Sequence, residues 1–320
     1  MPKVCIVLAT YNGEKYLAQM LDSLLSQTRK ADIVIAVDDG SKDSTIEILK
    51  SYAGKLPMQI VKHAENLGHR AAFTHGLEQA IKQLAPSDLI APADQDDIWL
   101  PHKLEILEKA SNENAGGKDC DMVYGDAQVI DAQGNIVAPS WRKSERIVKH
   151  LSVKALLTGF TNVTGCLSMF RASLLNTALP IPQGVPVHDQ WLTLCAAAGN
   201  GYKAVDDPVI QYRIHESNAI GQAGSHSWSS KLRTNQQWAI AVSESQLANQ
   251  LDEGKRRFLG QYIKYKDKRF KRYLLPFHFF WLLANAKSIH PQVHSPLTLL
   301  LHAFFDIVGV KFAIRFLGKK

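Results

Sequence analysis

Residues 31–52 read ADIVIAVDDGSKDSTIEILKSY, and the order of events in this stretch decides the fold. Ile33 to Val37 is an unbroken apolar, largely β-branched run, so it predicts a strand covered on both faces rather than one with a wet side. The run stops at the acidic step Asp38-Asp39-Gly40, and a helical segment follows with Asp43 or Ser44 near its cap. A strand buried on both faces and followed at once by a helix is the unit of a parallel sheet flanked by helices.

Working outward, the same unit recurs. KVCIVLAT is a strand closed by YNG, after which Leu17, Met20, Leu21, Leu24 and Leu25 repeat at helical spacing. MQIVK passes through HAENLGHRAA into a helix ending near Ala80, and DLIAP passes into an acidic cluster before a helix opened by Pro101. Strand and helix therefore alternate four times, which predicts an α/β, Rossmann-like, mostly parallel sheet with helices on both faces. Such sheets bind ligands beyond the carboxyl ends of their strands. Tyr11, Asn12, Asp38, Asp39, Asp94, Asp96 and Asp97 all follow apolar strands and should meet on one rim.

After residue 120 the rhythm changes. DMVYGDAQVIDAQGNIV predicts a hairpin turning at DAQG; a helix is expected near 149–158, another from HDQWL, and a strand or two in YKAVDDPVIQYRIH. Beyond 227 the chain is expected to be helical.

Composition is the ordinary balance of a folded protein rather than a disordered or membrane-spanning one. The 320 residues are 46% hydrophobic and 21% charged, with a formal net charge of +7. That charge is local: residues 255–272 hold nine basic residues against Asp267, while the rest of the chain has 28 basic and 29 acidic residues. A near-neutral remainder argues against a nucleic-acid-binding core, although Phe258, Tyr262, Tyr265, Phe270 and Tyr273 interleave the basic stretch and could stack on bases. Cys5, Cys120, Cys166 and Cys195 form no CxxC and read as small buried hydrophobes of a reducing compartment. MPKVCIVLATYNG lacks the features of a signal peptide, so a cytoplasmic location is expected.

Two apolar runs, YLLPFHFFWLLANA and PLTLLLHAFFDIVGVKFAIRFLG, follow the basic stretch. Pro276 interrupts the first, and His302, Asp306 and Lys311 lie within the second, so neither predicts a spanning helix. Basic residues beside aromatic amphipathic helices suit an anionic membrane surface; helices docked on the protein with a solvated basic face fit the same residues. The HPQVH pair, His290 and His294, has zinc-like spacing but is interrupted by Pro291 and is set aside as a metal site.

The acidic cluster APADQDDIWLPHKLE places Asp94, Asp96 and Asp97 within four positions. Like charges so close are favourable only with a cation among them, and Mg²⁺ takes one or two carboxylates together with substrate phosphates. Acids that merely cap the following helix give the same pattern.

VLATYNGEKYLAQMLDSLLSQT, VDDGSKDST, NLGHRAAFTHGL and APADQDDIWLPHKLE, in that order, resemble the inverting nucleotide-sugar glycosyltransferases of family 2, which have the GT-A fold. TGCLSMFR, HDQWL and YRIHESN resemble their rhamnosyltransferase-like branch; the resemblance covers roughly residues 3 to 220. The resemblance implies a catalytic domain over 1–226, with a nucleotide-binding half to 119 and an acceptor-binding half beyond, and a helical extension over 227–320. Thr10, Tyr11, Asp39, Arg70 and Asp94 are implied at the nucleotide, and Asp96 and His215 at Mg²⁺ or Mn²⁺. Asp189 is implied as catalytic base, although His188 stands where the family usually has Glu; Asp97, His188 and Trp191 are candidates for the donor or acceptor pocket, with Trp191 equally readable as core. The implied reaction moves a sugar, L-rhamnose from dTDP-rhamnose first among the candidates, to a glycan or lipid-linked acceptor at the inner face of the cell membrane. A silent nucleotide-sugar-binding assembly subunit is the alternative. A nucleotidyltransferase or dehydrogenase on a similar sheet is disfavoured by the absence of GxGxxG after the first strand and of GxxxxGK[ST] anywhere.

Overall fold

A computed structural model describes residues 1–113, 120–216, 228–272 and 274–310, excepting the side chains of 228 and 229. The expected alternation is present. β1 (Val4–Thr10), α1 (Leu17–Leu25), β2 (Ile33–Asp38), α2 (Thr45–Tyr52), β3 (Met58–Lys62), α3 (His69–Ala80), β4 (Leu89–Asp94), the short β5 (Ile98–Trp99) and α4 (Lys103–Asn112) follow one another. Then come β6 (Met122–Ile130), β7 (Ile136–Ala138), α5 (Trp141–Ser144), α6 (Val153–Leu157), β8 (Ser168–Arg171), α7 (Leu175–Ala178), α8 (His188–Ala198) and β9 (Tyr202–Arg213). The remaining helices are α9 (Trp228–Glu244), α10 (Leu247–Gln250), α11 (Glu253–Lys271), α12 (Phe279–Ala284), α13 (Ala286–Ile289) and α14 (Pro296–Asp306).

The sheet runs β3-β2-β1-β4-β8-β6-β9-β5, with β7 beside β6. β3, β2, β1 and β4 pair in parallel, and β8 enters antiparallel between β4 and β6. The fully apolar strands have the burial their sequence dictates: Val4 to Leu8 and Val34 to Val37 are completely covered. The hairpin turns where DAQG predicts, with Gly134 at φ 93° and Asp131 Oδ1 accepting from the Gln133 and Asn135 amides. The helix expected near 149–158 is a single turn, α6. Val187 holds the N-cap position of α8 with no side-chain cap, and Asp189 lies inside the first turn.

The chain divides into two compact units. One comprises Met1–Ile147, Val163–Ile181 and Val187–Gly221 and carries the sheet; the other comprises Val148–Asn162, Pro182–Pro186 and Gln222–Lys320 and is helical among its described residues. No helix among the described residues is long and apolar enough to cross a membrane.

In the helical unit, Phe258, Tyr262 and Tyr265 are buried on α11, Phe258 and Tyr265 packing with Trp281 and Tyr262 with both of them, which removes them from any base-stacking role. Tyr273 lies outside the described residues, as do Ser217 and Asn218 of YRIHESN, Lys311 and the proposed boundary at 226. His290 faces Asp306 Oδ2 through Nε2 at 2.7 Å, an ion-pair geometry within the helical unit.

Candidate active site

Three strand ends and the head of one helix build the site. Thr10 ends β1 and Tyr11 follows it, Asp39 follows β2, Asp94 ends β4, and His188 and Asp189 open α8. All six line one cavity of about 270 Å³, together with Gln95, Asp96, Asn66, His69, Phe73, Gly165 and Tyr212. Parallel strands end at the same level, which is why residues far apart in sequence meet on this rim.

The loops are held by their own side chains. Gln95 clamps Tyr11, accepting from its amide through Oε1 at 2.8 Å and donating to its carbonyl through Nε2 at 2.9 Å. Asn12 adopts φ 47°, a left-handed conformation that asparagine tolerates, and its Oδ1 accepts from the Lys42 amide. Asp38 is spent internally on Ser41 and Thr10. Asp39 accepts from the amides of Leu67 and Gly68, at 2.9 and 2.7 Å, so it organises the loop before α3 and does not cap α2.

Behind Asp39 stands a chain that the motifs do not announce. His63 Nδ1 lies 2.7 Å from Asp39 Oδ1, His63 Nε2 lies 2.9 Å from His75 Nδ1, and His75 Nε2 lies 3.0 Å from Gln79 Nε2. A carboxylate only accepts, so with neutral rings the donors run from Gln79 through His75 and His63 to Asp39.

The acids are electrostatically strained. Burial pushes the Asp94 carboxyl up to about 7, and the charges of Asp96 and Asp189 add to that. Burial, then Asp96 and Asp94, raise Asp97 well above the carboxylate range. Lys103, wholly buried, is the nearby cation: its Nζ sits 3.2 Å from the centre of the Trp99 ring and donates to the Cys166 carbonyl, and burial brings it down to about 7. Asp189 is pushed up to about 6 by burial, against the Gly165 amide that donates to its Oδ2 at 3.1 Å. His188 is stacked on Phe73 with ring centres 3.8 Å apart, both ring nitrogens lack a hydrogen-bond partner, and burial brings it down to about 3, so it stands neutral.

Several expected site residues sit elsewhere. Asp97 is 1% exposed and lies outside the cavity wall, accepting from the Arg213 amide at 3.1 Å. Trp191 is fully buried core, its Nε1 donating to the Ala178 carbonyl. Arg70 is half-buried near the start of α3 and does not line the cavity. His215 reaches the site through Asp96, its Nε2 being 2.9 Å from Asp96 Oδ2.

The acids fit a hard divalent cation. Asp94, Asp97 and Cys166 bring ligand-type atoms within 4.8 Å of one another, and Asp97 Oδ2 has no partner. Burial holds the Cys166 thiol protonated, and a thiol is no ligand for a hard ion. That leaves the cavity-lining carboxylates of Asp94 and Asp96, with His215 at the latter, as the oxygen-rich set open to a ligand.

Residues 5–179 match the model of the glycosyl transferase family 2 domain. The chain belongs to glycosyl transferase family 2. It is 26% identical over 234 residues to an uncharacterized glycosyltransferase of Nostoc sp., covering 70% of this chain and 68% of that one. To one of Rickettsia typhi it is 31% identical over 232 residues, covering 69% and 67%. The transferase spans only 38% of the length of its Rickettsia felis relative, at 26% identity over 72% of its own length. In fold it resembles residues 1–349 of S. aureus TarS, solved with UDP-GlcNAc, at a TM-score of 0.60 and 19% identity over 95% of this chain and 81% of that one. The mixed α/β architecture is that of the GT-A glycosyltransferases.

Proposed function

We propose that this family 2 transferase is an inverting enzyme that moves a sugar from a nucleotide-sugar to a hydroxyl of a glycan or lipid-linked glycan, working in the cytoplasm at the inner face of the cell membrane. The observation that carries the reading is one cavity walled by Asp94 and Asp96 on one element and by Asp189, its carboxyl raised to about 6, on another.

The residues divide the work. Asp39, Thr10 and Tyr11 receive the nucleoside, with Asp39 held in place by His63 and the loop amides. Asp94, Asp96 and His215 would hold Mg²⁺ or Mn²⁺, which when bound would supply positive charge to offset that of the departing diphosphate. Asp189 takes the proton of the acceptor hydroxyl; the acceptor oxygen bonds to the anomeric carbon while the bond from that carbon to the phosphate oxygen breaks, its electron pair leaving with the nucleoside diphosphate. A single carboxylate base and a single displacement invert the anomeric centre. A base near 6 is largely ionised at neutral pH yet basic enough to draw a proton.

For the donor, the later motifs favour dTDP-rhamnose, and a UDP-sugar is the second candidate, TarS of similar fold having been solved with UDP-GlcNAc. Labelled dTDP-rhamnose and UDP-GlcNAc, each with Mg²⁺, Mn²⁺ or chelator, should show transfer or slow hydrolysis only with metal. Asp96→Ala and Asp189→Ala should each lower the rate at least ~100-fold with circular dichroism unchanged. Nucleoside diphosphate affinity that is the same with and without chelator would remove the metal from the account. Binding without turnover across donors and acceptors would instead favour the silent assembly subunit.

A further inference from the structure

α14 carries its apolar stripe on the wrong side for a soluble helix. Ala303 and Asp306 face inward, while Leu297, Leu300, Leu301, Phe304 and Phe305, at helical spacing, are 40–66% exposed. In a helix that packs against its own protein such a stripe faces the core. α12, which packs with α14, and the turn before it add Phe277 at 95% and Phe280 at 79%. Contiguous exposed aromatic and leucine surface on this scale marks a binding face.

A basic rim adjoins it. The Leu275 amide donates to the Ile307 carbonyl, and Leu274 bridges to Val308, so the C-terminal end of α11 sits at the end of α14. Lys264, Lys268, Lys271 and Arg272 on that end are exposed; Asp267 is the one carboxylate among residues 264–272, and it is paired with Lys271. Of the remaining basic residues there, Arg269 is tied down by Asp306 and Lys266 is buried. A second copy of this chain would meet that rim with like charge, whereas lipid phosphates complement it.

The geometry points to α12 and α14 as a monotopic membrane-binding face, seated with Phe277, Phe280, Leu297, Leu301, Phe304 and Phe305 at the acyl boundary and the cations of α11 on anionic headgroups. α14 is 11 residues long and α12 is 6, far short of the ~20 needed to span, so the face lies on the bilayer. This deepens the peripheral location proposed above and rests on it, but it is independent of the sugar chemistry.

Flotation of the full chain with liposomes tests it. Vesicles containing phosphatidylglycerol should carry the protein at least tenfold better than pure phosphatidylcholine, and the combined Phe277→Ser and Phe280→Ser variant should lose at least tenfold of that binding. Lys268→Glu with Arg272→Glu should abolish the preference for anionic lipid, and metal-dependent donor hydrolysis without vesicles should be unchanged in both variants. Equal flotation of the native and Phe variants, or a lipid-free dimer in sedimentation that those serines dissociate, would overturn it. Absence of donor hydrolysis by the native chain, with its preference for anionic vesicles and the loss in the Phe variant both seen, would count against the catalytic reading alone.

Discussion

Asp189 shows how far a single residue can be read. Its type and motif are visible in HDQWL, but its basicity is not, because the shift to about 6 comes from burial beside the Gly165 amide, contributed by a segment 24 positions away. If Asp189 is the base, kcat/KM rises with pH through about 6 and levels above it. Asp189→Asn removes that limb together with the activity. The sign for stability is opposite: a carboxyl raised in the folded state contributes stability fully below about 3.9 and loses it as pH passes 6. The Asn variant should therefore melt no lower than the native protein at pH 8. Asp39 was likewise legible, whereas His63 and His75 behind it were not, since the pairing of β2 with β3 brings His63 near and the packing of α3 on β2 brings His75. His63→Ala should raise the KM for the nucleotide-sugar several-fold with kcat little changed, because it frees the carboxylate without removing it.

At the scale of elements, the four strand-helix units follow from unbroken apolar strands and helical spacing, so their existence and order are local properties. Their fit is not. Gly76 of α3 lies directly on β1, where an added methyl would collide with the Val7 Cγ1. Gly76→Ala gains up to ~1 kcal/mol of helix propensity but overpacks a closed core at ~1–3 kcal/mol. A net loss of melting temperature is expected, recovered in part by Val7→Ala; a more stable single variant would show that the helix can move off the strand. α8 is the other case: Val187 holds its N-cap position with no side-chain cap, and Asp189, in the first turn, lines the cavity.

At the scale of the molecule, the basic stretch reads as a solvated charge run, yet Lys266 and Arg269 are buried around Asp306, whose carboxyl also meets His290. Burial alone would raise Asp306, but the His290 hydrogen bond and the charges of Arg269, His290 and Lys266 hold it below the usual range. Such a carboxylate stabilises above its unfolded value near 3.9 and loses that contribution as pH falls through its folded one. Asp306→Asn leaves Arg269 uncompensated and should cost ~3–5 kcal/mol, seen as early melting at neutral pH; an unchanged melting curve would show that the helical unit does not depend on this ion pair. The sequence by itself determined the sheet, its rim of acids and the family, because apolar runs and turn chemistry act over a few residues. Only the tertiary structure decided which acids face the cavity, that Asp97 and Trp191 do not, and that the apolar stripe of α14 points outward, because burial and facing depend on what distant segments pack against.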